Sequence, residues 1–501
     1  MGVTMEAVYL GYDLGTKRSK GILISAGGAV LHRCVREHAT MNPGPGRQEQ
    51  NPADWWEEFR EITRELLLFM PRQGVPDSTA GPADTAAAAP VSPLPAGAIS
   101  GIGITGFVPV LTLLDQKGTP LRPAILHTDT RAAGELPRLR DDYGLELSLG
   151  TLLPKLLWVR RNEAEIFSRI STVMSAHSYL AYRLSGSPGT DYDTAAIFGD
   201  IFDISASRYR KDVLHSLDLS PDLFPPPFPA DSIIGRVSAA ASEETGIPAG
   251  TPVIAGTGDS FASLLGDGAV QKGDMMVYLG TSGTEILVEG DAGGFIDTPH
   301  FGEGKAQFVG RIFSCGESLE TVRNICGGTP WYKLNSEAEQ VPPGSEGLML
   351  FPHLKQKPGA ESSLNDNDII IGLHAGHTRA HLFRAVLEGV AARVRERYDT
   401  RRDDIMRVIC TGGGAESSLL RRILADMLQM PVEYHHEGSA CLGIALLAAV
   451  AIENIEDPAA FIISRLSKPI RTVPETGTGK AYEQYFADFT AYQHTLIRSS
   501  L

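Results

Sequence analysis

Apolar residues in this chain come in short runs that end on glycine. Val8-Tyr9-Leu10 reads as a buried strand that passes into a turn at Asp13-Leu14-Gly15-Thr16. A second run, Gly21-Ile22-Leu23-Ile24, ends at Gly27-Gly28. Short apolar runs bounded by turn residues predict strands. Pro52-Ala53-Asp54-Trp55-Trp56 opens a helix predicted to reach about Leu68, with acidic residues near its start, where the helix dipole favours them. Further strands are predicted over 99–104, 110–114, 253–255, 276–279 and 408–410, and helices from Pro154 and from Ser417. The stretch 221–229 is proline-rich and predicted to be irregular.

One segment breaks the pattern. Residues 73–98 are rich in Ala, Pro and Gly and poor in large apolar side chains, which predicts a flexible surface insertion. The remaining pattern contains an echo. Tyr9-Leu10-Gly11-Tyr12-Asp13-Leu14-Gly15-Thr16 and Tyr278-Leu279-Gly280-Thr281 both read as strand, tight Gly-Thr turn, then strand. They lie about half a chain apart, which suggests duplicated α/β domains facing one ligand.

Composition narrows the classes. A chain of 501 residues is too long for one ordinary core, so two domains are expected. Apolar residues make up 43% and charged residues 21%, which is globular. Lys+Arg total 45 against 60 Asp+Glu, a formal charge of -15 that opposes nucleic-acid binding. Five scattered cysteines, none in a C-x-x-C pair, suggest reduced thiols and a cytoplasmic protein. The N-terminal residues do not read as a signal peptide, and the longest apolar stretch, 441–452, is too short to span a bilayer. No membrane partner is expected.

Two tempting motifs fail. Gly101-Ile102-Gly103-Ile104-Thr105-Gly106 has the dinucleotide spacing, but the residues after it alternate like a strand and open no helix to hold a pyrophosphate. His374, His377 and His381 have a metal-like spacing, but Arg379 beside them and the lack of nearby Cys oppose a site.

Other turns carry chemistry. In Asp13-Leu14-Gly15-Thr16, Gly15 permits close backbone approach and Thr16 offers a hydroxyl and an N–H to phosphate. Lys17 or Lys20 can neutralise that phosphate, and Asp13 can hold Mg²⁺, usually through waters. A plain hairpin with a basic tip fits the same residues. Gly280-Thr281-Ser282-Gly283 is a second turn of this kind. Gly412-Gly413-Gly414-Ala415 would let a flat adenine lie against backbone, or is simply a strand-to-helix turn. Asp259 follows Gly256-Thr257-Gly258 at a strand end, where a carboxylate can accept a proton from a substrate hydroxyl; a solvated turn residue is the alternative.

Taken in order, these segments resemble the FGGY carbohydrate kinase family over nearly the whole chain, apart from 73–98 and the last forty or so residues. GYDLGTKRSKGILI looks like the family's first phosphate loop and KGDMMVYLGTSGTEIL like its second. GIGITGFVPVLTLLDQKGTPLRPAILHTDTRA is similar to the sugar-side segment. PKLLWVRRNEAEIF, TDYDTAAIFGDIFD and GIPAGTPVIAGTGDSFASLLGDGAV follow in sequence. IIGLHAGHTRAHLFRAVLEGVA resembles the C-terminal signature and VICTGGGAESSLLRRILADML the adenosine segment.

The resemblance implies an actin-like, ribonuclease-H-like duplication of α/β ATPase domains that close on ATP and sugar. The domains are expected at 1–265 and 266–501. It implies ATP-dependent phosphorylation of a ketopentose or similar polyol, with Asp259 as catalytic base and Asp13 and Asp259 at Mg²⁺. Gly15, Thr16, Lys17, Lys20, Gly280, Thr281 and Gly316 form the implied phosphate set; Gly413, Gly414, Ala415 and Ser418 line the implied adenosine pocket. A homodimer is the assembly common in such kinases.

The sugar side departs from the pattern. Phe107-Val108-Pro109 stands where the most similar members carry Gln-Met-His, and His127-Thr128-Asp129 where many carry Trp-Asn-Asp. Ser260 replaces the usual Asn after the base. The expected substrate contacts are Phe107, Val108, Pro109, Asp129, Arg131 and Asp259, although Arg131 also fits a structural salt bridge. Apolar replacements remove partners for substrate hydroxyls, so a different polyol is one alternative and a non-catalytic nucleotide or sugar sensor another.

Overall fold

Strands β1 (Val8–Leu14), β2 (Arg18–Ser25) and β3 (Val30–Glu37) pair antiparallel in sequence order. They come from the first apolar runs of a computed structural model that describes residues 7–68, 99–289, 298–299, 305–308, 313–353 and 367–499. The insertion expected at 73–98 lies outside the described residues. Helix α1 (Pro52–Leu68) buries Trp55, Trp56, Phe59, Ile62 and Leu66 on one face. Strand β4 (Ile99–Gly106) then joins β1 in parallel. After helix α2 (Ala176–Ser185), β5 (Ile233–Arg236) and β6 (Pro252–Ile254) complete the sheet. β6 lies parallel to β4, and β5 lies antiparallel outside it. Helix α3 (Asp259–Gly266) follows.

A second sheet repeats this path. Strands β7 (Asp274–Leu279), β8 (Ser282–Glu289) and β9 (Lys305–Phe308) again pair antiparallel in order. Helices α4 (Gly316–Ile325) and α5 (Arg379–Thr400) intervene. Strand β10 (Arg407–Thr411) joins β7 in parallel; after helix α6 (Ser418–Leu428), β11 (Val432–Tyr434) joins β10 in parallel. Helix α7 (Ala440–Glu453) precedes the antiparallel edge strand β12 (Ile470–Thr472) and helix α8 (Gly479–Ser499). From β3 to β5 in one sheet and from β9 to β12 in the other, the pairs run antiparallel, antiparallel, parallel, parallel, antiparallel, and in the second sheet the short strand Thr298–Pro299 adds an antiparallel pair outside β9. The Gly15-Thr16 turn joins the first two strands of one sheet, and Gly280-Thr281 joins the first two of the other.

The chain divides into two compact units. One holds the residues up to Gly266 with Ser439–Arg465; the other holds Asp267–Gly438 and the residues from Leu466. A single cut at 265–266 is what the sequence suggests, so the assignment of Ser439–Arg465 is a difference. Its cause is α7, whose residues 440–450 are all buried. A Cβ on Gly11 of β1 would lie 2.2 Å from the Cys441 carbonyl oxygen, and one on Gly103 of β4 would lie 2.3 Å from that of Ile444. The bare glycines therefore admit the helix backbone against the first sheet. The Gly101–Gly106 spacing serves this packing inside a strand. No helix of the described residues is long and apolar enough to cross a membrane.

Candidate active site

The first unit brings two carboxylates to neighbouring strand ends. Asp13, near the end of β1, pairs in register with Lys20 on β2 and Thr105 on β4. The short strand Thr257–Gly258 pairs with Thr105 and Gly106, and Asp259 follows it as the first residue of α3. Thr105 Oγ1 donates to the Thr257 carbonyl at 2.7 Å, which fixes this edge. Asp13 is buried; its Oδ2 lies 3.8 Å from Lys20 Nζ, and its Oδ1 has no hydrogen-bond partner. Asp259 Oδ1 accepts the Ser260 N–H at 2.8 Å and the Ser260 hydroxyl at 3.4 Å.

Burial pushes the Asp259 carboxyl up to about 7, and the negative charge of Asp13 adds to the rise. Burial also raises Asp13, against the pull of Lys20. A buried, unpartnered carboxylate oxygen beside a second carboxylate fits a hard divalent cation. Mg²⁺ typically takes one or two carboxylates and completes its shell with water and phosphate. Among the described residues no cluster of three or more His, Cys, Asp or Glu has metal-binding geometry.

The turn after Asp13 is braced from inside. Gly15 N–H donates to the Arg18 carbonyl at 3.0 Å, and a Cβ on Gly15 would sit 2.8 Å from that oxygen. The Thr16 carbonyl accepts from Gln50 Nε2 at 2.8 Å and lies 3.1 Å from His38 Nε2. His38 Nδ1 lies 2.9 Å from Glu58 Oε2, and Trp55 Nε1 donates to Gln50 Oε1 at 2.8 Å. The Thr16 hydroxyl and N–H have no partner among the described residues. Lys17 and Lys20 are exposed.

The expected sugar-side residues are arranged unevenly. Phe107 and Pro109 are buried, and Val108 between them keeps accessible surface. A Cβ on Gly258 would meet Val108 Cγ2 at 2.6 Å, so Val108 packs beside the residue preceding Asp259. Asp129 is fully buried, and both its oxygens are occupied. Oδ1 accepts the Arg131 N–H and Nε, each at 2.9 Å; Oδ2 accepts the Gln48 N–H at 2.6 Å and Arg131 Nη2 at 2.7 Å. Arg131 Nη2 also lies 2.7 Å from Glu49 Oε1, and its guanidinium stacks 5.1 Å from the Trp158 ring centroid. Asp129 and Arg131 thus form an internal ion pair that shapes the loop, the structural role open to Arg131 from the outset.

In the second unit the Gly280-Thr281 turn sits under the start of α4. Gly316 N–H donates to the Gly280 carbonyl at 2.8 Å, and Glu317 N–H to that of Thr281 at 3.2 Å. A Cβ on Gly316 would lie 2.8 Å from the Gly280 oxygen, so Gly316 is a packing requirement of the turn. Thr281 is exposed. After β10, Gly412 has φ +85° and packs on Leu279; Gly413 is exposed, with nothing within 4 Å of a built Cβ. Ala415 is buried, whereas Ser418 is exposed at the first position of α6, behind the N-cap Ser417. Gly413 and Ser418 therefore offer accessible surface in this segment, while Ala415 contributes packing.

Comparison with known proteins identifies this arrangement. Residues 8–266 match the N-terminal domain model of the FGGY family of carbohydrate kinases, and residues 312–452 match its C-terminal domain model. The chain belongs to the FGGY family of carbohydrate kinases. It is 29% identical over 497 residues to the xylulose kinase of Escherichia coli K12, covering 95% of this chain and 96% of that one. It is 28% identical over 472 residues to the xylulose kinase of Bacillus subtilis, covering 89% of each. The crystal structure of xylulose kinase from Rhodospirillum rubrum superposes with a TM-score of 0.82 at 26% identity, covering 98% of this chain and 99% of that one. The protein is a sugar kinase with the two-domain, actin-like α/β fold, and kinases of this family use ATP.

Several residues that shape these turns and caps carried little signal in the sequence. His38 and Gln50 hold the Thr16 carbonyl from outside the glycine turn. Gln50, two residues before the predicted helix, was the more legible, since a polar residue there must meet the incoming Trp55. His381 of the histidine triplet belongs to a helix cap: its Nδ1 accepts the Thr378 N–H at 3.2 Å at the start of α5.

Proposed function

We propose that this kinase transfers the γ-phosphoryl group of ATP to a terminal hydroxyl of a ketopentose, with Asp259 as general base. Xylulose is the first acceptor to test, because relatives of that name match nearly the full length of the chain. The observation that carries the reading is Asp259 itself. It is a strand-end carboxyl pushed up to about 7 by burial and by Asp13. A base is most effective when its pKa lies near the working pH.

In this reading Asp259 accepts the proton of the attacking hydroxyl as that oxygen bonds to phosphorus. The Thr16 and Thr281 hydroxyls and the exposed Lys17 and Lys20 take phosphate oxygens. Gly413 and Ser418 offer surface to the adenosine. Asp13, with its unpartnered oxygen, would hold Mg²⁺, which when bound supplies positive charge to the triphosphate.

The test is coupled ADP release over a panel of ketoses and polyols, with Asp259→Ala in parallel. The parent should respond to a ketopentose, and the variant should lose at least about a hundredfold in rate. Near-normal turnover by Asp259→Ala sinks the base assignment. Val108 favours a second reading, a kinase for a polyol lacking one hydroxyl, because its apolar side chain packs against Gly258, the residue before Asp259. A panel response confined to such acceptors would select it.

A further inference from the structure

Two buried carboxyls meet the strand that leads into Asp259. Asp191 caps the short helix Tyr192–Ala196, and Asp193 lies in its first turn. Thr257, two residues before Asp259, places its hydroxyl oxygen 3.1 Å from Asp191 Oδ1 and 3.2 Å from Asp193 Oδ2. Its carbonyl accepts from Thr105 Oγ1, so Thr257 is gripped at both backbone and side chain. Asp191 has further partners. Its Oδ1 accepts the Thr194 N–H at 3.0 Å, and its Oδ2 lies 2.9 Å from Nε2 of His177 on α2. The His177 ring lies against the same strand, since a Cβ on Gly256 would sit 3.6 Å from its Cδ2. Among the described residues Thr257 is the one hydrogen-bond partner of the Asp193 side chain, whose Oδ1 is buried and unpaired.

Proton counting orders this cluster. A hydroxyl gives one hydrogen bond and can accept two. Thr257 cannot donate to both carboxyls, and two bare carboxylates around it would leave one oxygen facing it with no proton between them. One carboxyl therefore carries a proton and donates it to Thr257 Oγ1. Asp191, which already accepts the Thr194 N–H and faces His177 Nε2, is the acceptor. Asp193, to which no other group donates among the described residues, is the donor. Burial, with the charge of Asp191 added to it, raises Asp193 well above the usual carboxylate range, in the same direction. A proton on His177 Nε2 completes the chain and leaves the bare nitrogen at Nδ1, which is buried and unpaired.

We propose that Asp193, Thr257 and Asp191 form a one-directional hydrogen-bond chain that positions Asp259: Asp193 donates to the Thr257 hydroxyl, Thr257 donates to Asp191, and the strand Thr257–Gly258 is held where α3 begins. The inference rests on the reading of Asp259 as base. Asp193 and Thr257 are positioning residues, because the charges that act on Asp259 are those of Asp13 and Lys20. A reacting group misplaced by about 1 Å costs up to about a hundredfold in rate.

The experiment measures kcat and both KM values by coupled ADP release, with xylulose or the panel member that the parent turns over fastest. Temperatures are those at which unfolding curves show each variant folded. Thr257→Val removes the hydroxyl and keeps the shape, and Thr257→Ser restores it. Asp193→Ala removes the donor, and Asp193→Asn restores an N–H that needs no held proton. kcat should fall roughly tenfold to a hundredfold in Thr257→Val and Asp193→Ala, with both KM values near the parent's. Thr257→Ser and Asp193→Asn should recover most of the rate. The acid limb of the pH–rate profile should stay near 7 in Thr257→Val. Parent-level kcat in Thr257→Val overturns the inference, and so does an Asp193→Asn no faster than Asp193→Ala. An acid limb displaced toward the ordinary carboxylate range would mean that the chain acts through charge, and overturns it too. Where Thr257→Val does not fold, the two Asp193 variants decide alone. Near-parent turnover by Asp259→Ala overturns the base reading beneath the inference, whatever the other variants do.

Discussion

Asp13 and Asp259 stand at neighbouring strand ends of one sheet, where the charge of Asp13 helps hold the Asp259 proton on. Burial, with that charge added to it, raises the proposed base from the ordinary carboxylate range to about 7. The sign for catalysis follows. Below about 7 the proposed base is protonated and inactive; above it the base is free. kcat/KM should therefore climb through an acid limb near 7 and level off above it. A pH–rate profile measured between about pH 5 and pH 9 checks this. A flat profile across that window would contradict Asp259 as base.

Much of this site was readable because its turns are local. Gly15-Thr16 and Gly280-Thr281 end short apolar runs, and both fall at the same hairpin of the same sheet path. The return of α7 to the first unit was not readable. It depends on Gly11 and Gly103 meeting carbonyls more than three hundred residues away in sequence. Phe107 and Pro109 were expected at the sugar because their neighbours resemble a sugar segment, but a chain segment shows side chains only one at a time. The fold buries those two and leaves Val108 accessible.

The packing of α7 gives a stability prediction. Gly11→Ala would place its Cβ 2.2 Å from the Cys441 carbonyl and 2.9 Å from the Ala445 Cβ. Both are held by the helix, so neither can swing aside. Overpacking of this kind costs about 1–3 kcal/mol. Denaturant unfolding should show a lower midpoint for Gly11→Ala, whereas Gly413→Ala, with open space at its Cβ, should unfold as the parent does. Equal midpoints for Gly11→Ala and the parent would rule out the close approach.

The brace behind the Gly15-Thr16 turn, the proposed phosphate turn, yields a kinetic prediction. Gln50 and His38 both reach the Thr16 carbonyl, so removing either leaves that oxygen underpartnered and the turn free to rotate. Gln50→Ala should raise the KM for ATP several-fold, consistent with about 1 kcal/mol for a hydrogen bond, while the acceptor KM stays near the parent value. Initial rates with each substrate varied in turn make the distinction. A rise confined to the acceptor KM would show that the brace serves a different site.

Glu285 supplies a pH dependence of stability in the second unit. It lies on β8 opposite Val277, fully buried, with neither carboxyl oxygen hydrogen-bonded. Burial raises it to about 8, Glu396 adding to the rise and Arg397 opposing it. In the unfolded chain a glutamate titrates near 4.3. Between those values the folded form keeps a proton that the unfolded form has released. The stability this contributes is fully present below the unfolded value and is lost as pH rises through about 8. Glu285→Gln keeps the shape and cannot ionise. Its unfolding midpoint should fall less than the parent's between about pH 5 and pH 9, and at the alkaline end the variant should be the more stable protein. Parallel midpoint curves for the two proteins would show that Glu285 keeps the same proton affinity folded and unfolded.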